Sequence, residues 1–86
     1  MKTLKIAVKE VPAEDGFPAG VYVQADQSKI EAGRVFVVQS RASSKEKWRS
    51  VVTNGQLVHF RSGTGLRTWG LAEEGGLQWR AVEVPK

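Results

Sequence analysis

Basic side chains and aromatic rings are concentrated between residues 40 and 70. The six Lys and Arg residues of this segment are accompanied by one acidic residue, Glu46, so that its net charge is +5. Cations can follow the phosphates of a nucleic acid strand, and flat rings can stack on its bases. The pattern therefore predicts a surface that binds nucleic acid, with single strands preferred to duplex. Its candidate residues are Arg41, Lys45, Lys47 and Arg49 for phosphates, Arg61 and Arg67 on the flanks, and Trp48 and Phe60 for stacking.

The rest of the chain does not share this excess of positive charge. Residues 1–39 carry five basic and five acidic side chains, and residues 71–86 carry two basic and three acidic ones. A local patch of this kind also suits an acidic protein. The alternative prediction is a protein-binding module, such as a small inhibitor or accessory subunit encoded by a mobile element, which would pair through its basic loop or its strand edges.

Catalytic chemistry has little support in the residue types. His59 is the only histidine, and a hairpin register places it opposite Ser50. A nucleophile and base of this kind need an orienting carboxylate, which the sequence does not place beside them. The chain has no cysteine, and its carboxylates do not cluster around His59. We therefore predict a non-enzymatic protein with no catalytic residues, no metal site and no cofactor.

Size and hydropathy define the class of protein. A chain of 86 residues is expected to form one domain over residues 1–86. A domain this small buries a modest share of its surface, so association into a homodimer would stabilise it. The longest apolar run, at residues 35–38, is far shorter than a membrane span. The start of the chain alternates charged and apolar residues, unlike a signal peptide. We expect a cytoplasmic protein with no membrane partner.

Alternating apolar and polar residues predict the elements that must position the basic segment. The pattern has the period of two typical of strands and is interrupted by turns rich in Gly and Pro. A single helical turn, capped by Asp26 or Ser28, is expected within residues 26–33. The predicted strands cover residues 1–11, 21–25, 34–40, 48–53, 56–61, 66–71 and 77–84.

The strongest local signal is Asn54-Gly55, which lies between two apolar runs and favours a two-residue hairpin turn. This turn fixes a register that extends to Trp48 opposite Arg61. Residues 66–71 and 77–84 are predicted to form a second hairpin, and residues 34–40 form the central strand because both of their faces are apolar. The fold class predicted is all-β: a small barrel or sandwich of about six to seven short, mostly antiparallel strands.

Overall fold

The computed structural model of the protein describes residues 2–16, 18–72 and 77–84. These residues form ten short strands and one 3-10 turn, so the all-β prediction is confirmed. No helix of the described residues is long and apolar enough to cross a membrane. The strands are β1 (Thr3–Leu4), β2 (Ala7–Val11), β3 (Gly20–Asp26), β4 (Val35–Arg41), β5 (Arg49–Ser50), β6 (Val52–Thr53), β7 (Gln56–Leu57), β8 (His59–Arg61), β9 (Leu66–Leu71) and β10 (Gln78–Glu83).

Two antiparallel sheets contain most of these strands. The larger, sheet A, has the order β1-β10-β4-β5, and β8 also pairs with β4, further along the same edge as β5. The smaller, sheet B, has the order β2-β3-β9. Strand β4 has partners on both sides, as predicted for the central strand. Sheet A is curled, so that together the strands resemble half of a barrel.

The predicted first strand divides between the two sheets. Its first part, β1, pairs with β10 in sheet A, and its second part, β2, pairs with β3 in sheet B. A strand that passes from one sheet to the other lets both sheets cover one core. The core cluster takes side chains from both sheets, among them Val21 and Val23 of β3, Phe36 and Val38 of β4, Phe60, Trp69 and Ala81.

The single helical turn is a 3-10 turn at Gln27–Lys29. Of the two predicted caps, Asp26 is the one observed: its carboxylate accepts hydrogen bonds from the Ser28 amide at 3.0 Å and the Ser28 hydroxyl at 2.6 Å. Because these two bonds favour the charged carboxylate, with the hydroxyl as the larger cause, the pKa of Asp26 lies below its ordinary value.

The second predicted hairpin is wrong. Strand β9 pairs with β3 in sheet B, whereas β10 pairs with β4 and β1 in sheet A. Alternation defines which residues share a face, but it does not choose the partner strand, and here the two strands belong to different sheets. Residues 73–76, where the sequence predicts a turn, and Phe17 lie outside the described residues.

The first predicted hairpin is correct near its turn and wrong beyond it. Thr53 pairs with Gln56 and Val52 with Leu57, and the Val58 amide donates to the Val51 carbonyl at 2.9 Å. Beyond Val51 and Val58 the two arms separate, since each pairs with β4 instead of with the other arm. Residues 49–61 therefore line one edge of β4 as an interrupted strand, from which residues 52–57 project as a short hairpin arm.

Candidate functional site

The outer face of sheet A carries two arginines and two glutamines beside one another. Strand β4 directs Phe36 and Val38 into the core, so its alternate residues Gln39 and Arg41 lie on the opposite face. Register places Gln78 of β10 opposite Arg41, and Arg80 opposite Gln39. Alternation along β10 puts Gln78 and Arg80 on the face opposite Ala81, which is fully buried.

Trp48 contacts both arginines. The guanidinium carbon of Arg41 lies 4.2 Å from the centroid of the Trp48 ring, and that of Arg80 lies 4.3 Å from it. Because β10 and β5 flank β4 on opposite sides, the contact with Arg80 passes across the central strand. We refer to Arg41, Trp48 and Arg80 as the Arg–Trp cluster. Each cation–π contact at an exposed site is worth roughly 0.5–1 kcal/mol.

Each arginine of the Arg–Trp cluster is oriented through one nitrogen atom. Arg41 Nε donates to Gln78 Oε1 at 2.7 Å, and Arg80 Nε donates to Gln39 Oε1 at 2.8 Å. Neither guanidinium forms an ion pair with a carboxylate of the described residues. Arg34 is the one arginine of that part of the chain that does. The Nη groups of two fixed guanidiniums are therefore available to an anion, and their fork geometry suits phosphate.

The turn between β4 and β5 adds exposed cations next to the cluster. Lys45 and Lys47 are both exposed. Glu46, which lies between them, accepts a hydrogen bond from the Ala42 amide at 3.4 Å, and its own amide donates to the Ser43 carbonyl at 3.1 Å. Its carboxylate is directed to the backbone and forms no ion pair with a lysine of the described residues. With two lysines and one glutamate, the turn carries a net charge of +1.

The other predicted residues are not brought into the cluster. Arg49 is exposed but pairs with Ser40, whose side chain lies on the core side of β4. Arg61 is exposed on the outer face of sheet A, opposite Val35 near the far end of β4. Arg67 belongs to sheet B, with its guanidinium carbon 4.4 Å from the ring centroid of the buried Trp69.

Phe60 cannot stack on a ligand in this structure. Its side chain is fully buried in the core, with 0% exposure. The Trp48 ring is only half-buried, at the surface beside the two arginines. Trp48 is therefore the stacking candidate that remains.

Arg80 is the cluster residue that sequence reasoning missed. Counted by segment, it belongs to the slightly acidic end of the chain. The available signal was its face, since alternation places Arg80 on the same side of β10 as Gln78 and on the side opposite the fully buried Ala81. Its position beside Gln39 depends on the pairing of β10 with β4, which the sequence pattern did not predict.

His59 and Ser50 do not face each other. Ser50 pairs with Gln39 and His59 with Val37, at separate positions on β4, because the hairpin arms have diverged there. The imidazole Nδ1 lies 2.9 Å from the Leu57 carbonyl, and the ring centroid lies 5.8 Å from that of Trp69. The described residues contain no group of three metal-ligating side chains.

Comparison with protein-family models, with curated proteins and with solved structures gave no match for this chain. The geometry and charge of its surface are thus the observations that bear on its function.

Proposed function

We propose that this protein is a non-enzymatic binding domain that contacts single-stranded nucleic acid through the outer face of sheet A. The supporting observation is the Arg–Trp cluster, in which two guanidiniums lie against one half-buried indole and are oriented by Gln39 and Gln78. Phosphates would bind the Nη groups, with Lys45 and Lys47 extending the positive track. A cytoplasmic location would give the surface access to RNA or DNA.

Single strands fit this surface better than duplex does. The described residues offer no helix that could enter a major groove. A sheet face instead presents side chains to bases that are splayed out of a stack. The outer faces of the guanidiniums provide flat surfaces on which such bases can stack, and stacking tolerates any sequence.

The salt dependence of binding tests the proposal. Affinity for a labelled single-stranded oligonucleotide is measured by fluorescence anisotropy at several salt concentrations. Each phosphate contact contributes roughly −0.7 to the slope of log affinity against log salt. Contacts by Arg41, Arg80, Lys45 and Lys47 predict a slope of about −2.8. The double variant Arg41→Ala/Arg80→Ala should lose about 1.4 of that slope.

A charge-matched control separates the site from net charge. Lys2→Ala/Lys9→Ala also removes two cations, but from exposed positions outside the Arg–Trp cluster. It should leave affinity and slope close to the wild-type values. If the folded wild-type protein shows no salt-dependent binding at low ionic strength, the proposal is wrong, and binding to an acidic protein partner becomes the leading alternative.

A further inference from the structure

An apolar cleft of about 620 Å³ opens on the same face of sheet A as the Arg–Trp cluster. Its floor is formed by Val35, Val37 and Val84, its wall by residues 55–57 of the hairpin arm, and its end by His59. The volume lies within the ~300–1,000 Å³ of typical small-ligand sites. Leu57, which forms part of the wall, remains 46% exposed. The cleft thus presents apolar surface that the fold itself does not cover.

The cleft is separate from the core. Val37 and Val82 form a cross-strand pair on the outer face, and both are buried although neither belongs to the core cluster. Burial on both sides of β4 explains why its sequence is apolar at successive positions. The outer face of sheet A therefore has a cationic end, at the Arg–Trp cluster, and an apolar end beneath the hairpin arm.

The two ends are adjacent along the strands. Val37 lies two residues from Gln39, which accepts from Arg80, and Val82 lies two residues from Arg80 itself. Two residues of a strand span only about 7 Å. An anionic chain whose charged groups bind the arginines would thus place its next apolar group over the cleft. Charge complementarity therefore favours an occupant that carries anionic and apolar groups side by side.

His59 adds one polar atom to the apolar cleft. The Leu57 carbonyl can only accept, so the 2.9 Å contact assigns the proton of the neutral ring to Nδ1. Nε2 is then an acceptor, and within the described part of the chain it has no hydrogen-bond donor. An exocyclic amine is the kind of group that this nitrogen can recognise.

We propose that the cleft takes one unstacked nucleobase of the single strand whose phosphates bind Arg41 and Arg80. This inference rests on the proposed function and adds a base site to it. The flat base packs between the valines of the sheet and Leu57, and its amine donates to His59. A paired base inside a duplex cannot enter, so the cleft gives the surface its preference for single strands.

Two strands of equal charge test this inference. One contains about twelve deoxyadenosines, and the other is a fully abasic strand of the same length. The wild-type protein should bind the first about tenfold more tightly, which is the lower part of the range for one base contact. Leu57→Ser should remove most of that preference and leave affinity for the abasic strand unchanged. His59→Ala should reduce the preference in the same way.

Leu66→Ser provides the matched control, since Leu66 is an exposed leucine of sheet B, 67% exposed, that does not line this cleft. It should keep the full preference for the base-bearing strand. An unchanged preference in Leu57→Ser overturns the base site while the proposed function stands. Equal binding of both strands by the wild type overturns the base site together with stacking on the Arg–Trp cluster, and leaves only the phosphate contacts of the proposed function. Binding of neither strand overturns both.

Discussion

The guanidinium of Arg41 is fixed at two places: Gln78 accepts from its Nε, and the ring of Trp48 lies against its flat face. Arg80 is held in the same way by Gln39 and Trp48. Long arginine side chains on a surface normally keep much rotamer freedom, and losing it on binding costs affinity. The two glutamines therefore act as positioning residues that prepare the cations before a ligand arrives.

Replacing these glutamines should weaken binding without changing charge. In Gln39→Leu/Gln78→Leu both arginines remain but lose their Nε acceptors, so each must be ordered on binding at a cost of about 0.5–1.5 kcal/mol, and affinity for a single strand should fall roughly five- to a hundredfold. The salt slope should stay at the wild-type value because the same cations reach the phosphates. Anisotropy titrations at several salt concentrations measure both quantities. A slope that falls with the affinity would contradict a purely positioning role.

At this scale the sequence predicted part of the cluster. Arg41 and Trp48 could be recognised because they stand close together in a segment whose charge excess is visible without any structure. Phe60 was misjudged because a ring next to cations can be either a core residue or a stacking residue, and only packing decides. Arg80 could not be chosen without knowing which strand its own strand pairs with.

At the scale of elements, the hairpin arm depends on its turn. Asn54 and Gly55 both have positive φ, at 52° and 75°, as a two-residue hairpin turn requires. A Cβ added at Gly55 would meet no atom within 4 Å, so a substitution there is penalised by backbone conformation and not by packing. The turn residues thus determine whether residues 52–57 stand over the cleft.

Gly55→Val should destabilise the arm by about 1 kcal/mol or more, since a β-branched residue resists positive φ. The loss should appear as a lower melting temperature, and as faster exchange than in β4 of the Val58 amide, which donates to the Val51 carbonyl at the base of the arm. Gly55→Asn is the matched control, because asparagine tolerates this conformation far better. If Gly55→Val and Gly55→Asn lower the melting temperature equally, backbone strain at positive φ is not the cause of the destabilisation.

Element faces were predictable from the sequence, but element partners were not. Alternation about the hairpin turn places Val51, Val58 and Phe60 on one face, and all three are buried. The predicted register is wrong beyond the arm because the backbone of Val38 bonds to both arms. Its carbonyl accepts from the Val51 amide, and its amide donates to the Val58 carbonyl. This separation of the two arms depends on β4, which lies more than ten residues earlier in the chain. The local sequence pattern of a hairpin carries no information about that strand.

At the scale of the whole molecule, cations are neutralised in one region and not in another. Arg34 binds Glu31 at 2.9 Å and Glu83 at 2.9 Å, at the start of β4 and the end of β10. At the other end of the same two strands, the Arg–Trp cluster has no such carboxylate among the described residues. The field of the molecule should therefore attract an anionic strand to the cluster end of sheet A.

This arrangement predicts a preference that can be measured on the intact protein. A single strand should bind more tightly than a duplex of the same length and sequence at equal salt, because only the single strand can place an unpaired base on the sheet face. Competition of each unlabelled nucleic acid against a labelled single strand gives the ratio. Equal or tighter binding of the duplex would show that charge alone controls the interaction.

The side chains of the Arg–Trp cluster can be observed directly during binding. In a ¹H–¹⁵N spectrum the Nε–H signals of Arg41 and Arg80, and the indole N–H of Trp48, should shift as a single-stranded oligonucleotide is added. The Nε–H of Arg34, which is already paired with Glu31, is the internal control and should stay in place. Shifts confined to the cluster and its turn are the predicted result. Binding that leaves these three signals unmoved would contradict the account.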